Sequence, residues 1–314
     1  MSNNSTLWKA LINQGSHSPY PNNASVFKIN GNSLNEMSIT PVEDCVVDFG
    51  DGTTQTYAGN NSSKRVSHSY SESNIYTIKI TGNHSNFRAS RNIIEIIQIS
   101  NSVTNCSYMF NNCTSLTTIP EGFTLGNSVT NCSGMFQGCL KITTIPSTLT
   151  IPNSVTDCSA MFFSCSSLTA IPSTLTIPNS VAYCTNMFAS CKSLTTIPET
   201  LTIPNSVTNC GGMFYNCSSL TAIPSTFTIP NLVTNCSYVF YKCSSLTSDI
   251  SNIWPTWNST GTINLSNMFN GCSKVVGTVP ADKLWNSGKT FSSSSCFTNC
   301  TSLTNYDEIP AEWK

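Results

Sequence analysis

The residues best suited to chemistry are the sixteen cysteines, and most of them come as evenly spaced pairs. NCSYMFNNC at 105–113 is followed, every 26 residues, by NCSGMFQGC, DCSAMFFSC, YCTNMFASC, NCGGMFYNC and NCSYVFYKC. Thiols in such an array could ligate a metal, form disulfides, act as nucleophiles, or fill a core as small apolar groups. Zinc would want C-x2–4-C spacing or histidine partners. Here the spacing is C-x6-C, and the three histidines all precede residue 85. A disulfide within one pair would bridge two helical turns, roughly 10–11 Å of rise, beyond the Cα separation of about 7 Å that the bond tolerates. Between stacked copies, about 4.8 Å apart, disulfides are geometrically open, but each copy presents both partners and the pairing is ambiguous. A nucleophile requires one distinguished copy with a base beside it, and no copy is distinguished. Two degenerate copies decide the reading. Leu265 replaces the first cysteine in NLSNMFNGC, and in SSSSCFTNC Ser293 takes that place while Cys296 takes that of Met. Val239 stands in the same Met column. A column that accepts such exchanges is a packing column, so buried free thiols are expected, with no metal and no cofactor.

The copy SVTDCSAMFFSCSSLTAIPSTLTIPN at 154–179 indicates how the columns are positioned. Cys158, Met161, Phe162 and Cys165 fall at i, i+3, i+4 and i+7, which predicts the apolar stripe of a two-turn helix. Cys106, Met109, Phe110 and Cys113 repeat that stripe, and these eight residues are the expected structural core. Thr156 or Asp157 would cap the helix. Leu168 and Ile171, then Leu175 and Ile177 flanking Thr176, predict two short extended pieces. Recurrent prolines, such as Pro172 and Pro178, cannot donate to a ladder and mark the corners. Each coil would thus be a short helix, a short strand and a second extended segment, sharing one core with its neighbours. Six regular coils begin near 102, 128, 154, 180, 206 and 232, and the two degenerate ones follow.

Over its 314 residues the chain is 9% charged with a net charge of about −1, and Ser, Thr and Asn carry its polarity. It has no electrostatic footprint for nucleic acid or an anionic membrane. No apolar run approaches the roughly 20 residues that span a bilayer. The start, MSNNSTLWKALINQGSHSPYPNN, lacks the roughly 7–15-residue apolar core of a secretory signal. The Asn-Cys-Ser/Thr sequons, as at Asn105 and Asn112, follow from the repeat and suit helix capping better than glycosylation. Gly-rich phosphate loops, HExxH and GxSxG are absent, so no enzymatic activity is expected.

With its MFxxCxSL core, as in MFNNCTSLTTIP, the repeat resembles the BspA-like leucine-rich-repeat surface family over about residues 100–310. A Cys stands here where many relatives have Met. The resemblance implies a solenoid used for adhesion or recognition and no catalysis, and members also occur in tail and fibre proteins of phages of gut Bacteroidetes. VVDFGDGT at 46–53 with VSHSYSESNIYTIKITG at 66–82 resembles a PKD domain, an immunoglobulin-like β-sandwich that serves as a spacer or interaction module. FGDG reads as a tight turn with glycines at positive φ. Tyr76, Ile78 and Ile80 alternate as a half-buried strand. Asn74 and Ile75 stand where that family has a Gly before the Tyr. Asp48 and Asp51 read as loop caps. The expected layout is an N-terminal extension at 1–23, a PKD-like β-sandwich at 24–83, a linker and capping strand at 84–100, and an α/β leucine-rich-repeat solenoid with 26-residue coils at 101–314.

Two columns vary while the stripe does not. Two positions after the first Cys stand Tyr108, Gly134, Ala160, Asn186, Gly212 and Tyr238, and after Phe stand Asn111, Gln137, Phe163, Ala189, Tyr215 and Tyr241. Aromatics off the buried stripe either cover neighbouring coils or recognise a ligand. On the second reading Phe163, Tyr183, Tyr215, Tyr238 and Tyr241 form a ligand-binding face for a host-surface glycan or protein. The expected function is a non-enzymatic adhesion protein of a phage virion (tail, fibre or capsid decoration), made in the host cytoplasm, mediating host attachment and contacting other virion proteins. A bacterial cell-surface adhesin, with its signal or anchor outside this sequence, is the alternative. An intracellular protein-binding scaffold is a third, and self-association into a homo-oligomer is left open.

Overall fold

The computed structural model describes residues 19–314, without the side chains of residues 32, 33, 35 and 36, so residues 1–18 of the expected N-terminal extension lie outside the described residues. Six strands open the chain: β1 Ala24–Pro41, β2 Cys45–Asp48, β3 Thr54–Tyr57, β4 Lys64–Thr81, β5 His84–Arg88 and β6 Ile93–Gln98. They form one antiparallel sheet in the order β3-β2-β4-β1-β5, with β6 also on β1. The expected sandwich of two facing sheets is therefore replaced by a single connected sheet. Its two 18-residue strands carry it, their pairing shifting register between Gly31 and Ser33, with the extra residues on β4, and between Leu34 and Met37. β4 includes the strand expected at Tyr76–Ile80 and begins well before it, and it buries Val66, Tyr70, Ile78 and Ile80. Residues 84–100, expected as a linker and capping strand, instead supply β5 and β6 to this sheet.

The expected α/β leucine-rich-repeat solenoid is overturned. No α-helix occurs among the described residues, only the single 3-10 turns Ala281–Lys283, Tyr306–Glu308 and Ala311–Trp313. Regular strand in the repeat is limited to the parallel two-residue pair β7 Ile263–Asn264 and β8 Phe291–Ser292. What forms is a stack of turns. In the copy after Asp157, the amides of Met161, Phe163, Cys165 and Leu168 donate three residues back, to Cys158, Ala160, Phe162 and Cys165, at 3.0–3.2 Å. The amides of Cys158, Ala160, Phe162 and Ser164 donate instead to Tyr183, Thr185, Met187 and Ala189 of the next copy, at 2.7–2.9 Å. Alternate amides thus close the turn and join the copies, whereas a helix would keep every amide inside itself.

Backbone conformation explains why a helix cannot form. Ala160 and Ser164 have φ of 55° and 58°, in the left-handed region that a helix interior excludes. Every copy has such a pair, for example Gly134/Gly138, Asn186/Ser190, Gly212/Asn216 and Tyr238/Lys242. A four-residue turn repeated twice brings positions 1, 4, 5 and 8 inward, the same set that a helix stripe would. The proline corners do form turns: Leu175 and Val181 donate back to Pro172 and Pro178, each at 3.0 Å. Isolated parallel bridges hold the register, Asn131↔Asp157↔Tyr183 where a helix cap was expected and Thr144↔Ala170↔Thr196 within the first of the two expected extended pieces.

One core runs the length of this stack. Phe110, Phe136, Phe162, Phe188, Phe214, Phe240, Phe269 and Phe297 stack ring on ring with centroids 5.3–6.1 Å apart. Phe87 of β5 meets Phe110 edge-on at 5.8 Å, so the sheet closes the first end, and Trp313 closes the other at 6.3 Å from Phe297. The polar residues serve the backbone. Thr156 Oγ1 donates to Thr130 O, Thr195 Oγ1 to Thr169 O, and Thr221 Oγ1 to Thr195 O, which accounts for a chain rich in Thr, Ser and Asn yet poor in charge.

Candidate binding face

All sixteen cysteines are buried and unpaired, and fourteen fall into two columns, with Cys45 in β2 and Cys296 in the Met column. In the second column each thiol has a specific partner. Cys139, Cys165, Cys191, Cys217 and Cys243 donate to the carbonyls of Phe110, Phe136, Phe162, Phe188 and Phe214 in the preceding copy, at 3.1–3.2 Å. Those carbonyls already accept a turn amide, as Phe136 O does from Cys139 N, so the thiol fills a second lone pair. These cysteines are weak donors as well as small apolar groups. Burial pushes the Cys139 and Cys217 thiols up to about 12, and those of Cys158 and Cys165 well above their ordinary value, so thiolate is scarce at neutral pH. The core residues named from the sequence, Cys106, Met109, Phe110, Cys113, Cys158, Met161, Phe162 and Cys165, are all fully buried. Among the described residues no group of three or more His, Cys, Asp or Glu side chains could hold a metal ion.

Within the sheet, carboxylate, hydroxyl and imidazole side chains come together at two places. Asp48 Oδ1 accepts the Gly50 amide at 2.9 Å, and Asp51 Oδ1 accepts the amide and hydroxyl of Thr53 at 3.0 and 2.6 Å. Gly50 is at φ 79°, and a Cβ there would lie 2.5 Å from Thr77 O. Asp51 Oδ2 also meets His68 Nε2 at 2.7 Å, and the hydrogen bonds from Thr53 and then His68 hold its carboxyl at about 2. The His68 ring is stacked on Phe49 at 4.2 Å. Ser25 and His84 are fully buried, with Oγ 2.8 Å from Nε2. His84 Nδ1 lies 2.8 Å from Gly82 O and must donate to it, so Nε2 accepts from the Ser25 hydroxyl, while Ser25 Oγ accepts the Ser100 amide. The pair has the spacing of a nucleophile and its base, but its burial makes it a brace between β1 and the chain leading into the stack.

The predicted ligand-binding aromatics are only partly brought together. Tyr215 and Tyr241, one copy apart in the same column, stack at 5.0 Å with an interplanar angle of 14°. Tyr238 meets Tyr241 edge-on at 5.4 Å and Tyr215 at 6.2 Å, and the Lys242 ammonium lies 5.1 Å from the Tyr241 centroid. Tyr238 is 40% exposed and the other two are half-buried. Phe163 is half-buried in the column of Tyr215, separated from it by the buried Ala189. Tyr183 stands elsewhere. It is 50% exposed and occupies the bridge column of Asp157 and Asn209, whose side chains cap the following turn by accepting the amides of Ser159 and Gly211 at 2.8 and 3.0 Å. Those Asx turns also replace the expected helix caps. The column two after the first Cys, read from sequence as freely variable, is the first left-handed position of each copy, so its residues answer to backbone conformation as well as to any ligand.

A neighbouring feature escaped the sequence. The Arg88 guanidinium lies over the Tyr108 ring, 5.1 Å from its centroid, joining β5 to the first copy. Arg88 and Tyr108 become neighbours only when the sheet docks on the stack, and no spacing signals that.

Residues 79–200 and 182–309 each match the family described as "Mycoplasma protein of unknown function, DUF285". Comparisons with curated proteins and with solved structures found no match. Because the two matched stretches together cover β5, β6 and nearly all of the stacked copies, the chain belongs to this DUF285 family.

Proposed function

We propose that this chain is a non-enzymatic attachment protein whose stack presents the Tyr215–Tyr238–Tyr241 cluster to a neutral glycan or to a protein on a host surface. The carrying observation is the cluster itself, three tyrosines packed on one another at an exposed edge with Lys242 beside them. Tyrosines held by mutual stacking are rigid and lose little entropy on binding, and their rings suit the apolar faces of sugars. Membership of a family related to BspA-like surface repeats supports the same reading. The proposed setting is a phage virion, with the N-terminal sheet as a spacer toward other virion proteins. A bacterial cell surface is the alternative setting.

Changing Tyr215, Tyr238 and Tyr241 together to Ser and measuring adsorption to host cells and binding to surface glycans tests the face. Loss of binding with an unchanged melting temperature is expected, and undiminished binding would leave the stack as a spacer. Mass spectrometry of purified phage particles separates the two settings.

A further inference from the structure

Where β1 and β5 run beside the first copy, a groove of about 340 Å³ opens. Its floor follows from the pleat. Ser38 pairs with Arg88 and Thr40 with Asn86, while the intervening Ile39 and Phe87 point into the core, so four polar side chains share one face. The wall is the first Asx turn of the stack, where Asn105 Oδ1 accepts the Ser107 amide at 2.8 Å. The backbone holds wall to floor, Thr104 and Asn105 both donating to Ser85 O at 3.0 Å. No acidic residue lines the groove.

Arg88 is its one charged lining residue. Among the described residues Arg88 has no ion pair, and the Tyr108 ring is its contact. That ring is itself held: Tyr108 sits at φ 55°, and its Cε1 would lie 2.5 Å from a Cβ at Gly134, so the bare glycine of the next copy leaves it room. The arrangement is a guanidinium fork placed by an aromatic ring beside hydroxyls and amides, in a volume suited to one or two sugar rings.

We propose that this groove binds a carboxylate-bearing sugar, with Arg88 gripping the carboxylate, the Ser, Thr and Asn side chains meeting ring hydroxyls, and Tyr108 acting as a positioning residue for Arg88. The site is independent of the tyrosine cluster, and it is tested separately from it. The probes are N-acetylneuraminic acid and glucuronic acid, against their methyl esters and glucose, followed by saturation-transfer NMR on the full chain. The two acids are expected to bind in the millimolar range, and esterification should weaken binding by about tenfold or more, the scale of one charge-assisted hydrogen-bonded contact. Arg88→Gln should abolish the signal and Arg88→Lys should weaken it less. Tyr108→Asn, which keeps a residue at ease with positive φ, should fall between wild type and Arg88→Gln. The Tyr215, Tyr238 and Tyr241 triple variant should bind the acids as wild type does. Equal binding of acid and ester, full binding by Arg88→Gln, or no binding of either acid would each overturn the proposal. If Arg88→Gln fails to fold, the ester comparison and Arg88→Lys still decide.

Discussion

The sheet and the stack bury the same kinds of side chain but close their backbones in opposite ways. In the sheet, distant segments pair: β1 meets β4, β5 and β6, and a misplaced register would turn core residues outward. In the stack each copy bonds chiefly to its neighbours, through every second amide, and the remaining amides close local turns. The sheet should therefore fold and fail as one unit, whereas the stack should fail copy by copy.

The sharpest way to break this contrast is a cavity in the middle of the aromatic column. Phe162→Ala removes a fully buried ring stacked on both sides, at 5.6 Å from Phe136 and from Phe188, and should cost about 3–5 kcal/mol. Hydrogen exchange should show loss of protection centred on the copies flanking Phe162, with the sheet still protected. Phe27→Ala in the sheet should instead raise exchange throughout β1, β4 and β6. A Phe162 variant that loses less than about 1 kcal/mol would contradict the continuous column.

The next effect tests the turns against a helix. Asn216 has φ 56° and sends its amide to Tyr241 O of the next copy at 2.7 Å. Asn216→Gly should be neutral or mildly stabilising and Asn216→Val should cost about 1–2 kcal/mol, because a β-branched residue resists the left-handed conformation. In a helix the order would reverse, with Gly the worse by about 0.3 kcal/mol. Chemical denaturation of the pair decides it.

A smaller loss is expected at the thiols. Cys165→Ala removes the bond from Sγ to Phe136 O at 3.2 Å and should cost about 0.5–1.5 kcal/mol, with Cys165→Ser closer to wild type only if the shorter hydroxyl reaches the carbonyl. Thiol labelling of the native protein should be slow at all sixteen cysteines and complete after denaturation. Rapid native labelling would refute the packed columns.

The mildest effect is on pH, and it belongs to the sheet. Burial lowers the proton affinity of His84 below its ordinary value of 6.5, the Gly82 carbonyl opposing only in part. Above that value neither the folded nor the unfolded state holds the proton, and stability is full. As pH falls below 6.5 the unfolded chain gains the proton first and stability declines. Asp51, held at about 2 against an ordinary 3.8, adds a second loss between those values. Acid should loosen the sheet and its joint before the stack, and His84→Gln should flatten the upper part of the profile.

The contrast also explains what could be read from the sequence. The columns, their period and the proline corners follow from spacing alone, as does the alternation of Ile78 and Ile80 in β4. The turn-or-helix choice did not, because C-x2-M-F-x2-C satisfies both. The available signal was composition: Gly134, Gly138, Asn186, Gly212 and Asn216 recur where a helix would favour Ala or Leu, and all are left-handed. A strand was expected within residues 84–100, but the pairing of β5 and β6 with β1 was not, because β1 lies far upstream at no multiple of the 26-residue period. Of the candidate face, the clustering of Tyr215 with Tyr241 follows from the period. The exposure of Tyr183 in a separate column, and the Arg88 groove, depend on docking that spacing does not encode.

The alternation of amides has a genetic consequence. Each interior copy accepts from one side and donates to the other through the same atoms, so nothing in it records its rank. A recombination that removes or duplicates one copy in frame would rejoin equivalent surfaces, while the sheet and Trp313 would still close the ends. Reach would change by about 4.8 Å per copy with no new interface to evolve. Natural variants of this gene should therefore differ in length by whole multiples of 26 codons, drawn from the regular copies between Val103 and Val233.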